Sequence, residues 1–192
     1  MLRRMTGGQG MGGVYGAILK QIMGQDGDRG KLGMGVLMWV SRSERPLRTE
    51  ELCQALAIEG STELDPENAP AIETLSSCCL GLATLDEMGS RVRLIHVTLQ
   101  EYLGGLPDLL GNAHSKMADV GLTYLNFQSI KDLPLELLES PETMPFLGYA
   151  SCYWGVHAGK ELTERTKSLA LQLLSQYDHH VAAMMLQVNR GV

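Results

Sequence analysis

The stretch Arg91-Val-Arg-Leu-Ile-His-Val-Thr-Leu-Gln-Glu-Tyr-Leu103 changes from the pattern of a strand to the pattern of a helix. In its first part apolar residues alternate with arginines, which is the period of a half-buried strand. Thr98 and Glu101 then match the Thr-x-x-Glu capping box, in which each side chain bonds a backbone N–H group at the start of a helix. The sequence therefore predicts a strand that ends near His96 and a helix that is capped by Thr98.

His96 lies just ahead of the N-terminus of this predicted helix. Helix N-termini attract anions through their oriented N–H groups and the helix dipole. An imidazole at this position could contact a phosphate that belongs to a ligand or to a partner domain. The alternative is a histidine satisfied by local hydrogen bonds at the end of a strand. These residues alone leave both interpretations open.

The residues ahead of this stretch predict helices and a hairpin. The spacing of apolar residues, together with turn residues, predicts four helices, at residues 14–28, 29–43, 50–58 and about 68–82. Thr49 and Asn68 are the expected N-caps of the last two helices. The strands of the hairpin are expected at residues 82–86 and 91–95. Three helices followed by a two-stranded wing form a winged helix, which we place at residues 29–103, after a linking helix at 14–28.

Downstream of the predicted winged helix the chain has breaks at residues 104–107 and 111–112, which indicate a domain boundary. Beyond it we expect an all-helical domain, residues 112–190. Its helices are predicted at residues 113–128, 143–157 and 161–187, with a short turn between 129 and 141 and a break at 178–180. The predicted fold class is therefore mainly α with a small two-stranded wing.

Residues 1–13 are rich in glycine and methionine and resemble a common expression-tag leader, so we assign them to a tag-like or linker segment. A phosphate-binding loop would need Gly-Lys-Ser/Thr after such glycines, and Gly12-Gly-Val14 follows instead. No nucleotide loop is predicted here.

Composition bounds the class of protein. The chain has 192 residues, of which 44% are hydrophobic but only 5% aromatic, which favours helical packing over a β-sandwich. No apolar run approaches the length of about 20 residues that a membrane helix requires, and the N-terminus lacks the layout of a secretory signal. The four cysteines have neither disulfide-like density nor metal-like spacing. We therefore expect a cytoplasmic protein with no membrane partner.

The distribution of the net charge of −6 argues against a nucleic-acid partner. Residues 49–90 contain nine acidic residues and no lysine or arginine. A duplex-binding surface needs cations to neutralise phosphates. The helix that would read DNA in a winged helix, residues 70–82, contains Glu73 and no basic residue.

Cysteine and histidine offer the starting points for catalysis or metal binding. Cys78 and Cys79 lie on the apolar side of a predicted helix and Cys152 in another, where a thiol packs as a small hydrophobe. His179 and His180 are adjacent, so they point to different helix faces, and no further residues complete a set of four ligands. We predict no catalytic residues and no metal site beyond fortuitous nickel affinity.

An aromatic cluster on a later helix carries a second hypothesis. Tyr149, Tyr153, Trp154 and His157 share one predicted helix. An aromatic face in a helical bundle usually belongs to the core, and the functional alternative is interdomain docking of the next module. The two interpretations are compatible.

Four segments resemble one family. Leu94-Ile-His-Val-Thr-Leu-Gln-Glu-Tyr-Leu103 resembles the hydrophobic-His-x-Thr-x-x-Glu-aromatic signature of the winged helix that follows the NACHT domain in signalling NTPases. The segment from Pro145 to His157 resembles the Tyr-Ala-x-x-x-Trp-Gly-x-His pattern of fungal NACHT–ankyrin proteins. Leu37-Met-Trp-Val40 and the segment from Arg45 to Leu52 resemble the opening helices of that winged helix. The resemblance covers residues 14 to 187.

This resemblance implies a non-catalytic regulatory connector of an NLR-like (STAND-type) signalling NTPase in innate immunity or incompatibility. Its expected partners are an upstream NACHT domain, downstream ankyrin repeats and a second copy of itself, and the ADP or ATP of the parent would be bound outside this segment. In such winged helices the residue matching His96 faces the β-phosphate of ADP. We therefore expect His96 to be solvent-accessible and without a structural role, so that His96→Leu leaves the melting temperature nearly unchanged. The alternatives are a stand-alone winged-helix nucleic-acid binder and a small Cys-dependent hydrolase.

Overall fold

The computed structural model describes residues 8–59, 69–86, 90–106, 109–135, 137 and 139–190. The first part of the chain contains helices α1 (Gly8–Met23), α2 (Arg29–Arg42), α3 (Thr49–Ile58) and α4 (Ile72–Cys78), strands β1 (Ala83–Leu85) and β2 (Val92–Leu94), and helix α5 (Val97–Gly104). The second part contains α6 (Ala113–Asn126), α7 (Gln128–Lys131), α8 (Leu147–Lys160), α9 (Glu164–Leu174), a 3-10 turn (Tyr177–His179) and α10 (Val181–Arg190). The predicted fold class, mainly helical with a small two-stranded sheet, is confirmed.

The wing is an antiparallel pair with the predicted alternation. Its register pairs Ala83 with Leu94, Thr84 with Arg93 and Leu85 with Val92. Ala83 and Val92 are buried, whereas Thr84 and Arg93 are exposed, so one face of the hairpin packs on the helices. The backbone N–H of Thr49 donates to Ser90 O at 3.0 Å, which attaches the wing to the start of α3. Most of the predicted turn, at residues 88–89, lies outside the described residues.

Helices α2, α3, α4 and α5 enclose the core of the winged helix. Its fully buried side chains include Leu37, Trp39, Leu52, Leu75, Leu99 and Leu103. Helices α2 and α4 approach closely at Gly33, where a Cβ atom would lie 2.6 Å from the carbonyl oxygen of Cys78. A side chain at Gly33 would force the two helices apart, so glycine is required there for packing.

Helix α1 begins at Gly8, before the residue 14 that the sequence predicted. Part of the predicted tag-like segment is therefore helical, despite the low helix propensity of its glycines. The Tyr15 and Tyr102 rings lie 5.6 Å apart, and a Cβ atom at Gly12 would lie 3.4 Å from the Tyr102 ring. The Tyr15 hydroxyl is 2.8 Å from Thr98 Oγ1. These contacts with α5 explain the earlier start, because tertiary packing outweighs local propensity. Residues 1–7 lie outside the described residues.

The cap predicted for α3 is also one residue off. Thr49 is the first helical residue and Arg48 precedes it in an extended conformation. The backbone N–H of Arg48 donates to Glu51 Oε2 at 2.8 Å, so Glu51 bonds the N-cap backbone as in a capping box. The other predicted cap, Asn68, lies outside the described residues.

In the helical half, α6 packs against α8 and α9, and α10 packs against α8. The break predicted at 178–180 is confirmed, because the 3-10 turn separates α9 from α10. The buried His180 stabilises this break. Its Nδ1 accepts the N–H of Ala182 at 3.0 Å, and its Nε2 lies 2.9 Å from Leu125 O. Helix α7 is the predicted short turn, and it begins one residue earlier than expected. Helix α8 begins four residues later than predicted and ends at Lys160.

The two predicted domains share one continuous core. The Trp39 ring of α2 meets the rings of Phe146 and Tyr149 edge-on, with centroid distances of 5.6 and 6.0 Å. The buried Gln54 of α3 donates to Thr143 O at 3.2 Å and accepts the N–H of Phe146 at 3.0 Å. The residues around the predicted boundary therefore connect two halves that pack directly on each other. Within the described part of the chain, no helix is long and apolar enough to cross a membrane.

Candidate functional site

His96 is the N-cap of α5. The helix begins at Val97, and the backbone N–H of Thr98 donates to His96 Nδ1 at 3.2 Å. The predicted capping box of Thr98 and Glu101 is therefore wrong. His96 is extended and supplies the accepting atom itself, while Thr98 lies in the first turn with its hydroxyl 2.9 Å from the same nitrogen. Glu101 lies in the second turn and is exposed.

The capping bond fixes the chemistry of the His96 ring. Because Nδ1 accepts a backbone N–H, the proton of the neutral ring is on Nε2. His96 is exposed. The site is thus an N–H donor beside a helix N-terminus, where negative charge is favoured. The expectation that His96 is accessible is confirmed, but the expectation that it has no structural role is wrong, because it caps a helix.

The residues on either side of His96 are apolar and exposed. Ile95 is 56% exposed and Val97 is 65% exposed. We call Ile95, His96 and Val97 the His96 ridge. The ridge therefore places two exposed aliphatic side chains on either side of the imidazole ring. A groove of about 390 Å³ runs beside the ridge, and its lining includes Arg45 and Arg93.

The four residues predicted for interdomain docking differ in their exposure: two are buried and two are partly exposed. Tyr149 is 2% exposed and His157 is 1% exposed, so neither is available to a downstream module. They join the two halves of this chain instead, because the Tyr149 hydroxyl accepts the N–H of Glu44 at 3.1 Å and lies 2.9 Å from His157 Nε2. Tyr153 and Trp154 are half-buried and leave part of their rings exposed. The core interpretation therefore holds for Tyr149 and His157.

An ion pair with a buried carboxylate lies beside this junction. The Glu51 carboxylate is 2% exposed and receives two hydrogen bonds of 2.7 Å from the Arg45 guanidinium. Glu51 raises the pKa of Arg45 through these bonds. The same guanidinium lies 5.2 Å from the Tyr149 ring and 6.0 Å from the Tyr153 ring, within the range of cation–π contacts. Arg45 thus connects α3 to α8. The sequence pattern does not predict this pair.

A second polar cluster, also missed, contains Glu44, His114 and His157. The Nδ1 atoms of the two histidines are 2.8 Å apart, and His157 Nδ1 is 3.8 Å from Glu44 Oε1. Lys160 Nζ lies 2.5 Å from the same Glu44 oxygen. Burial lowers the pKa of His157 to about 4 and also lowers that of His114, and the bond from Lys160 lowers the pKa of Glu44. Both imidazoles are therefore neutral near pH 7.

The cysteines lie mostly in the core. Cys53, Cys78 and Cys79 are buried and Cys152 is half-buried, and none of the four forms a disulfide. Burial raises the pKa of Cys53 to about 11. Cys78 donates to Leu75 O at 3.3 Å. The prediction that Cys78 and Cys79 pack in the core is confirmed.

Comparison with known families agrees with the geometry of α2 to α5 and the wing. Residues 21–114 match the family model for a winged helix domain. The matching model is that of the winged helix domain of GPI inositol-deacylase. The predicted winged helix is confirmed, and the match begins before the predicted residue 29 and ends after the predicted residue 103. No curated protein matches the chain, and no solved structure does.

Proposed function

We propose that this chain is a regulatory connector of a NACHT-type signalling NTPase, which couples the nucleotide state of an upstream domain to a repeat sensor downstream. The observation that carries the proposal is the exposed His96 at the N-terminus of α5. It occupies the histidine position of the signature that residues 94–103 resemble. The match of residues 21–114 to a winged helix domain supports the proposal at the level of the fold.

The switch depends on a contact made in only one arrangement of the domains. In the closed, ADP-bound arrangement the Nε2–H of His96 would donate to the β-phosphate. A hydrogen bond to a charged group contributes about 1.5–3 kcal/mol. A contact biases an equilibrium only by the difference in free energy between the two states. One such bond is enough to shift a balanced switch.

The His96 ridge would add to this bias. Ile95 and Val97 expose most of their surface here, and closure against an upstream domain would bury it. Complete burial of one aliphatic side chain contributes about 1.5–3 kcal/mol. The apolar contact would supply affinity, and His96 would make that affinity depend on the nucleotide.

The downstream contact is assigned to the outer face of α9. Leu171 is 69% exposed and Leu174 is 50% exposed, and Leu162, just ahead of the helix, is 56% exposed. Leu171 and Leu174 are neighbours on one face of α9, and this exposed apolar pair supports a contact with the next module or with a second copy of the chain. In this proposal the exposed leucines take the docking role that the sequence assigns to Tyr149 and His157, because those two residues are buried.

The capping and phosphate-binding roles of His96 can be separated by substitution. His96→Leu removes the capping acceptor and should lower the free energy of unfolding by about 1 kcal/mol. His96→Asp keeps an acceptor at the N-cap and should stay within about 0.5 kcal/mol of the wild type, since aspartate is among the best capping residues. Urea unfolding of this chain measures both. Equal losses for the two variants would contradict the capping role.

The chain by itself should bind neither ATP nor ADP. The sequence has no Gly-x-x-x-x-Gly-Lys-Ser/Thr loop to hold the phosphates. The contact with His96 is a single bond that needs the upstream domain to present the nucleotide. Calorimetric titration with Mg-ATP should show no heat of binding, and micromolar affinity would contradict the connector role.

Neither alternative function gains support from the site. Helix α4, which would read DNA, contains Glu73 and no lysine or arginine. A cysteine-dependent hydrolase needs an accessible thiolate, whereas Cys53, Cys78 and Cys79 are buried and Cys152 is half-buried in α8.

A further inference from the structure

Three side chains of ligand type converge where the winged helix meets the helical half. Glu44 follows α2, His114 lies in α6 and His157 lies in α8. Each offers one donor atom, and the three donor atoms lie within 4.8 Å of one another. Long stretches of chain separate the three residues, so the fold itself brings them together.

We propose that Glu44, His114 and His157 form a binding site for a divalent transition metal, with Zn²⁺ as the expected ion. Two imidazole nitrogens and one carboxylate oxygen are a donor set that Zn²⁺ accepts, and water completes the tetrahedron. Hard ions such as Mg²⁺ and Ca²⁺ prefer oxygen ligands only, so the two histidines select against them. The bound ion would tie the winged helix to the helical half.

Two of the three distances between ligand atoms fit this geometry after a small adjustment, and the third, from His114 to Glu44, is at most 4.8 Å. In a tetrahedral site with bonds of about 2.0–2.1 Å, two ligand atoms lie about 3.3 Å apart. The two Nδ1 atoms are 2.8 Å apart, and His157 Nδ1 is 3.8 Å from Glu44 Oε1. Each distance differs from the tetrahedral edge by about half an ångström. His114 is only half-buried and Glu44 is partly exposed, so both can move by that amount.

The surroundings hold His157 ready to act as a ligand. The Tyr149 hydroxyl lies 2.9 Å from His157 Nε2 and fixes the orientation of the ring. Partners of this kind orient metal-binding histidines and are part of the site. Burial keeps His157 neutral, which is the protonation state that a ligand needs. Nearby, the Glu161 carboxylate accepts the N–H of Ser115 at 3.0 Å and adds negative charge next to His114.

Lys160 opposes the metal and therefore provides a test. Its ammonium lies 2.5 Å from Glu44 Oε1, so it competes for the carboxylate and repels a cation. When no metal is bound, the two Nδ1 atoms share a proton and Lys160 neutralises Glu44. Metal binding would replace that shared proton and displace the ammonium toward solvent.

The experiment is a calorimetric titration of the chelator-treated, reduced chain with Zn²⁺ near pH 7. We expect one ion per chain, micromolar or tighter affinity and a higher melting temperature, because a ligand that binds only the folded state stabilises it. His114→Gln and Glu44→Gln should weaken binding by at least the roughly 10–100-fold that loss of an outer partner costs. Lys160→Met should tighten binding. His179→Asn, which changes an exposed histidine outside the cluster, should have no effect.

Cobalt identifies the ligand atoms. Co²⁺ in the proposed site should give visible d–d bands without the near-ultraviolet charge-transfer bands of a thiolate–cobalt bond. Thiolate bands would assign the ion to a cysteine and overturn the proposal. It would also be overturned if wild-type chain bound no Zn²⁺, if His114→Gln bound it as tightly, or if Lys160→Met left the affinity unchanged.

Discussion

Replacement of Arg45 by methionine should lower the free energy of unfolding by about 2–3 kcal/mol. This is less than the roughly 3–5 kcal/mol for breaking a fully buried ion pair, because the Arg45 side chain is 35% exposed. The Glu51 carboxylate is 2% exposed and receives both of its 2.7 Å hydrogen bonds from Arg45. Methionine keeps much of the aliphatic contact but leaves a buried negative charge. Urea unfolding at pH 7 measures the loss.

Arg48→Met is the matched control. The Arg48 guanidinium also faces Glu51, at 3.6 Å, but its side chain is 52% exposed. Because this guanidinium is farther from the carboxylate and more exposed to water than that of Arg45, its loss should cost about 1 kcal/mol or less. The double variant Arg45→Met with Glu51→Met should recover part of the loss, because no buried charge is then left unpaired. Equal losses for Arg45→Met and Arg48→Met would contradict the assigned role of Arg45.

Acidification from pH 7 to pH 4 should destabilise the protein by about 3 kcal/mol through His157 alone, at about 1.4 kcal/mol for each unit of pKa shift. The folded pKa of His157 is about 4, against an ordinary value of 6.5. Between these values the unfolded chain binds a proton that the folded protein does not bind. Stability therefore falls as the pH falls through this window. His114 and His180, whose pKa values burial also lowers, act in the same direction.

Urea unfolding at several pH values in the presence of a chelator measures this slope. The His157→Gln variant should be less stable than the wild type at pH 7, because it loses part of the hydrogen bonding to Tyr149 and His114. Its free energy of unfolding should, however, depend less on pH. His179→Asn, at an exposed position, should keep the wild-type profile. The same slope in His157→Gln and in the wild type would show that another group causes the acid sensitivity.

Local pattern was enough to predict most of the fold. Apolar and polar residues alternate through β2, and the chain breaks at 178–180 as the turn residues indicated. The predictions that differ from the structure concern the ends of helices. The residue type of Thr98 predicts a cap, yet His96 also offers an acceptor and lies one residue before the helix. The glycines at the start of α1 have low helix propensity, so the sequence does not predict that part of the helix, which contact with Tyr102 stabilises.

The two polar clusters could not be predicted from sequence. No helical or strand period relates Glu44, His114 and His157, which meet only because α6 and α8 pack together and against the end of α2. Arg45 and Glu51 are closer in sequence, but nothing in that spacing says that the carboxylate is buried. Whether a charged side chain is buried depends on how all the elements pack together. The sequence of a single helix or strand does not contain that information.

The proposed switch would be tested most directly by the rate at which ADP dissociates from a longer protein in which this chain follows a NACHT domain, as proposed above. His96→Asp keeps the cap of α5 but places a negative charge against the phosphate. We expect ADP to dissociate about 10–100-fold faster, which corresponds to the loss of one hydrogen bond to a charged group. His179→Asn should leave the rate unchanged. An unchanged ADP dissociation rate in a folded His96→Asp protein would contradict the proposal that His96 senses the nucleotide.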